Sequence, residues 1–371
     1  MPEEEVFFDL TKEQVAELGI VVVETEDGCR VGASTGEIFE IVNTATPDER
    51  RDPKLYTAML AQTGHVGERE TCELLDPLNG KTAGYVFPLT AFRDTENFDG
   101  MWLRRYADVA FRAATSRETI SQFSAGISIE SLRDRRLFLD EVLDDSLSIV
   151  VLGNAARELF DVDNDTLEFM LFKQGVHVVR SRADLLPQAP GSEWRTRLKL
   201  VKPDDLVASE AAVFLNLLKS ADRDRLGVGA FMHLYQALEF CIDHIFGWGV
   251  EKIANEGLDT WDMKAELSKI TGESYRLGLL DSQYLPGLPS RSVLNDLAQE
   301  SREFLAALGV GLDPDATWHK LLYKCRNIIV HNQIMMLKTD HVPLRDLVIT
   351  LRAASMEILF SFTKPAAGVA A

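Results

Sequence analysis

The stretch YKCRNIIVHN, Tyr323 to Asn332, sets an Arg, an Asn and a His among Cys, Ile and Val. At ~100° per residue, with Cys325 as origin, Trp318, Leu321, Leu322, Cys325, Ile328 and Ile329 all fall within about 60° of zero. That spacing predicts a helix with one clean core stripe. Its start is signalled upstream: Asp313 is suited to cap it and Pro314 to take the first helical position, where a missing N–H costs nothing.

The polar residues are not in the stripe. On the same wheel Arg326 falls at ~100°, His319 at ~120°, Val330 at ~140°, Tyr323 at ~160°, Asn327 at ~200° and His331 at ~240°. A merely solvated face shows Lys and Glu at i, i+4. This one carries no acid, and Lys324 lies off to one flank. Interfaces and sites enrich Arg and aromatic residues and deplete Lys and Glu. The pattern predicts a face that meets something, most simply a second copy of the chain across a two-fold axis.

Outward from this helix the same periodicity recurs. LVASEAAVFLNLLKS, VGAFMHLYQALEFCIDHIFGWG, TWDMKAELSKIT, SVLNDLAQESREFLAALG and VPLRDLVITLRAASMEILFSF carry apolar residues at i, i+3, i+4 spacing. Residues 204–371 therefore read as an all-α bundle. Upstream, Pro and Gly cluster in LLPQAPGSEWRTRLKLVKPDD, which marks a boundary. Before it the texture is mixed. GIVVVETEDGCRVGA reads as a hairpin turning at Asp27-Gly28. SIVVLGN and LEFMLFKQGVHVVRSRADLL read as strands, the second turning at Gln174-Gly175. MWLRRYADVAFRAATS and NAARELF read as helices. Strands and helices do not alternate regularly, so residues 1–203 are expected to form a strand-rich α+β domain, with a sandwich-like sheet, rather than a doubly wound one.

Composition bounds the function. The chain of 371 residues carries a net charge of −19. From Leu206 onward there are 16 basic and 20 acidic residues, leaving 23 and 38 before it. An acidic body argues against broad tracking along nucleic-acid phosphates but leaves room for one small, locally basic site. Four scattered cysteines lack CxxC spacing and read as reduced core thiols. No apolar run approaches the ~18–20 residues a membrane span needs, and MPEEEVFFDL lacks a signal-peptide pattern, so a cytoplasmic location without membrane contact is expected. Phosphate-loop, dinucleotide, zincin and nucleophile-elbow motifs are missing from the sequence. DEVLDDS reads as a solvated turn rather than a metal site.

The chemistry of the quoted stretch follows from residue types. A His can move a proton near neutral pH. An Arg can hold a phosphate bidentately and stabilise charge developing on it. An amide such as Asn327 can orient either group. Together these are enough to cleave RNA without metal or cofactor, with the ribose 2′-hydroxyl as nucleophile. Glu239 and Gln236 lie off the apolar stripe of their own helix, and either could lean over to position Arg326. Tyr323 and Lys324 read as packing and solvation rather than chemistry, though either could touch RNA. WRTRLKLVK is the most basic stretch; read as a strand, it lines Arg195, Arg197 and Lys199 along one face, where they would guide RNA or simply face water.

Arg326-Asn327-Ile328-Ile329-Val330-His331 resembles the R-x4-H signature of the HEPN superfamily, and LYQALEF, Leu234 to Phe240, resembles helices of the ApeA-like HEPN proteins of bacterial anti-phage, abortive-infection systems. The resemblance covers roughly Leu206 to Phe362; residues 1–203 resemble no family. It implies a helical bundle with the motif near the end of a late helix and one more helix after it, Leu344 to Phe362. It implies a metal-independent endoribonuclease toxin whose site is composite, two protomers joining through the bundle and bringing their Arg and His together. A 2′,3′-cyclic phosphate and a 5′-hydroxyl would be left on tRNA or single-stranded RNA. Arg326 would hold the scissile phosphate, His331 would move protons and Asn327 would orient them. The N-terminal domain would then sense a phage-derived or small-molecule trigger. The rival reading is a non-catalytic HEPN-like protein that dimerises, mediates interactions or binds a nucleotide. A small-molecule enzyme with its pocket in the first half has no catalytic constellation there to support it.

Overall fold

The computed structural model describes residues 21–25, 28–32, 38–44, 53–64, 70–123, 136–155, 158, 161–187, 195–224, 227–332 and 343–365. Chain contacts divide the protein into two compact units, Met1–Leu200 and Val201–Ala371. The first is strand-rich and the second helical.

The first unit holds two sheets. Strands β1 (Val21–Glu24), β2 (Gly28–Gly32), β3 (Ile38–Val42) and β7 (Arg136–Leu137) form the smaller one in that order. The β1–β2 hairpin pairs Val21 with Gly32 and Glu24 with Cys29. Gly28 is needed for it: a Cβ there would lie 2.0 Å from the Ile41 carbonyl oxygen on β3. Asp27, the other residue of the expected turn, lies outside the described residues. The larger sheet runs β10–β5–β6–β8–β4–β9, with β4 at Tyr56–Thr63, β5 at Cys72–Leu75, β6 at Thr82–Pro88, β8 at Leu147–Gly153, β9 at Val176–Val178 and β10 at Arg197–Lys199. Strand β8 (LSIVVLG) is central, antiparallel to both neighbours and buried on both faces, which is why it reads as an unbroken apolar run.

Helix α1 (Met101–Ala114) packs across β4, β6 and β8. One apolar core joins the two sheets and this helix, running from Cys29, Val31 and Ile41 through Phe87, Ile149 and Val151 to Ala107 and Phe111. Two short helices follow, α2 (Arg117–Phe123) and α3 (Leu139–Val142). The segment expected as a strand over LEFMLFK is a helix instead, α4 (Asn164–Lys173), buried along most of its length. A buried apolar run has no period that separates strand from helix; here the Asp163 carboxylate accepts the Thr166 N–H and caps the helix. Gly175, at φ 79°, then turns the chain into β9. NAARELF lies mostly outside the described residues.

The second unit comprises α5 (Asp205–Ala208), α6 (Ala211–Arg223), α7 (Val228–Asn255), α8 (Thr260–Thr271), α9 (Glu273–Gln283), α10 (Ser292–Ala307), α11 (Trp318–His331) and α12 (Leu344–Ser361). Helix α7, about 42 Å long at 1.5 Å per residue, is the axis: α6, α8, α9 and α12 all pack on it. Helix α11 lies against α10 and α9. Trp318, Leu321, Leu322, Cys325 and Ile329 are buried along its core stripe, while Ile328 is only half-buried. Burial pushes the Cys325 thiol up to about 12, so it packs as an apolar group. Among the described residues, no helix is long and apolar enough to cross a membrane.

The start of α11 differs from expectation. The helix begins at Trp318, with Thr317 as N-cap, not at Pro314. Asp313 Oδ1 instead accepts the Asp315 N–H, making a local turn. Arg302 donates to the carbonyls of Asp313 and Ala316 at 3.3 and 2.6 Å and so holds this segment in place.

Candidate functional site at the end of helix α11

Three elements converge on Arg326. Helix α11 supplies Arg326, Asn327 and His331; α7 supplies Tyr235 and Glu239, one turn apart on one face; α9 supplies Glu273 from its first turn. Arg326 Nη1 lies 3.1 Å from His331 Nε2 and 3.5 Å from Asn327 Oδ1. Since a guanidinium only donates, His331 Nε2 is the acceptor in this contact and the ring proton sits on Nδ1. Helix α11 ends at once afterwards, with Asn332 as C-cap, which leaves His331 exposed. Expected ~140° apart on the wheel, Arg326 and His331 meet because the long Arg side chain spans the gap.

Two carboxylates flank the guanidinium. Glu239 Oε1 lies 3.6 Å from Nη2 and Glu273 Oε1 3.9 Å from Nε. The Tyr235 ring sits beneath, its centroid 5.9 Å from Arg326 Cζ, a cation–π contact. The Tyr235 hydroxyl donates to Glu273 Oε1. Burial, reinforced by Glu273, pushes the Tyr235 hydroxyl far above its usual range, so it remains a donor. Burial and then the Glu273 charge push the Glu239 carboxyl up, against the pull of Arg326.

Of the residues expected to support the site, Glu239 meets Arg326, while Gln236 is exposed and takes no part in the cluster. The reason is angular: on α7, Glu239 follows Tyr235 by one turn, whereas Gln236 points about 100° away from Tyr235. Tyr323 is half-buried, and Lys324 is exposed with Nζ 3.4 Å from the Gly311 carbonyl. Arg195, Arg197 and Lys199 are exposed and belong to the first unit, with only Arg197–Lys199 in a strand. Arg197 is neutralised there by Glu73 at 2.8 Å.

The acid-free face of α11 also needs revision. Part of it is met within the chain. His319 packs on α9, where a Cβ at Gly278 would lie 3.2 Å from its ring, and burial lowers its pKa. Arg326 finds its acids on α7 and α9. Tyr235 and Glu273 were not singled out from sequence. Tyr235 carried a usable signal, an aromatic one turn before Glu239; Glu273 opens a helix whose buried Leu277 and Leu280 mark its core side but say nothing of Arg326, so it carried none.

No family model, no curated protein and no solved structure matches this chain.

Proposed function

We propose that the protein is a metal-independent endoribonuclease of the HEPN type, acting as a toxin or defence effector from a composite site formed by two copies of its helical unit. The observation that carries this reading is the Arg326–His331 pair, 3.1 Å apart at the exposed end of α11, with Asn327 against the same guanidinium. Arg326 binds the scissile phosphate and stabilises the charge that builds on its oxygens. With Arg326 turned to the phosphate, His331 Nε2 is released to take the 2′-hydroxyl proton. The 2′-oxygen then bonds to phosphorus, the P–O5′ bond breaks, and the second copy's His331, which must enter the step protonated, gives its proton to O5′; one imidazole ends charged and the other neutral, as at the start. The products are a 2′,3′-cyclic phosphate and a 5′-hydroxyl. The strand-rich unit is the restraint such an enzyme needs, releasing it when a phage-derived or small-molecule trigger binds.

The test is expression of wild type, Arg326→Ala and His331→Ala in bacteria, with growth and RNA integrity followed with and without phage. Wild type should arrest growth and fragment tRNA or single-stranded RNA in one of these settings, and cleavage in vitro should persist in a chelator. If all three proteins fold equally and behave alike, the nuclease reading is wrong.

A further inference from the structure

Arg326 is faced by more negative charge than it needs, held by less contact than it could have. One guanidinium meets two carboxylates, and both lie beyond hydrogen-bond distance, at 3.6 and 3.9 Å. Its Nε–H, buried from solvent, meets no acceptor. A phosphodiester arriving here would bring a third negative charge to a cluster with one fixed positive charge. It can bind well only if one carboxylate moves aside or is neutralised.

The two carboxylates are not equivalent. Glu273 is tied: its side chain is 19% exposed and its Oε1 accepts from the buried Tyr235 hydroxyl. Glu239 is 36% exposed, and among the described residues Arg326 is the only cation paired with it. The charged groups facing Glu239 are Glu273 on α9, Arg326 on α11 and Asp243 one turn along its own helix; Asp243 is itself bound by Arg276 at 3.1 Å. His331 reaches the cluster through Arg326. Of the two acids around Arg326, Glu239 has the weaker tether and the shorter path to solvent.

We propose that Glu239 is a displaceable acidic gate on Arg326, occupying the guanidinium until a phosphate takes its place, and that Glu273, fixed by Tyr235, is the positioning carboxylate that stays. This rests on the phosphate-binding role given to Arg326 above. The Glu239 carboxyl, pushed up by burial first and by Glu273 second, agrees with it.

The experiment is titration of the full-length protein with inorganic phosphate, followed by calorimetry and phosphorus NMR, for wild type, Glu239→Gln, Tyr235→Phe and Arg326→Ala. At pH 7.5 Glu239→Gln should bind phosphate about five- to tenfold more tightly than wild type, as expected for removing one partly screened like charge. The gap should narrow as pH falls, because the wild-type Glu239 carboxyl, raised by burial and by Glu273, then takes up a proton too. Tyr235→Phe keeps the formal charge but unties Glu273, and should bind more weakly than wild type. If Glu239→Gln binds no more tightly while Arg326→Ala abolishes binding, the gate is overturned and the role of Arg326 stands. If Arg326→Ala binds like wild type, or no variant binds phosphate, both fall.

Discussion

Arg352 and Arg326 lie in the same helical unit with nearly equal side-chain exposure, 22% and 20%. Arg352 closes on one carboxylate: its Nε and Nη2 bond the two oxygens of Asp222 at 2.6 and 2.8 Å and tie α12 to α6. Arg326 is spread over an imidazole, an amide and two carboxylates, with its Nε–H unmet. A fork-to-fork pair satisfies both partners in one geometry. A guanidinium shared among several loose partners keeps capacity for another anion. Burial alone does not separate a structural arginine from a poised one; saturation of its donors does.

The widest gap between the two should appear in chemistry. Arg326→Ala should lower the rate of RNA cleavage by about 10²–10³, the usual cost of losing one donor to a developing oxyanion. His331→Ala should cost about 10²–10⁴. Arg352→Ala, compared per folded molecule, should cleave like wild type. Initial rates on a labelled single-stranded RNA decide the matter. Equal losses in both arginine variants would erase the distinction.

Stability should show the reverse order. Arg352→Ala strands a carboxylate that is 10% exposed and removes two charge-assisted bonds. The expected loss is about 1.5–3 kcal/mol. Arg326→Ala removes two ion pairs longer than a hydrogen bond, one bond to an exposed imidazole and a cation–π contact, and should cost less, about 1 kcal/mol. Thermal melts of the two variants side by side test this. An Arg326 variant that melts below the Arg352 variant would make Arg326 the structural residue.

The contrast between the arginines was only half legible in the sequence. Periodicity placed Trp318, Leu321, Leu322, Cys325 and Ile329 in the core, because burial along a helix writes itself as a repeat of about 3.6 residues. The same wheel put Arg326 and His331 off that stripe. It could not supply their partners. Glu273 is far from Arg326 in sequence and reaches it only because α9 packs on both α7 and α11. The Asp222–Arg352 pair spans 130 positions and was equally invisible. The failures at Pro314 and LEFMLFK are local ones. In each, a side chain bonding to backbone decided the local structure: Arg302 holds the segment after Pro314 outside the helix, and Asp163 caps the helix over LEFMLFK.

The smallest expected effect tests the loose side of the comparison most directly. The folded protein raises the Glu239 carboxyl above its ordinary value of 4.5, through burial first and Glu273 second, with Arg326 opposing. A carboxyl raised on folding contributes stability that is complete below the unfolded value and is lost as pH rises through the folded one. At pH 7.5 the ionised Glu239 is therefore a net burden on the fold. Glu239→Gln should melt slightly above wild type at pH 7.5 and coincide with it near pH 4. The side chain is more than a third exposed, so solvent screening keeps the difference to a degree or two. Asp222→Asn, which breaks the closed pair, should instead melt below wild type at pH 7.5. A Glu239→Gln protein that also melts lower at pH 7.5 would place Glu239 beside Asp222 as a structural partner, and the distinction between the two arginines would not hold.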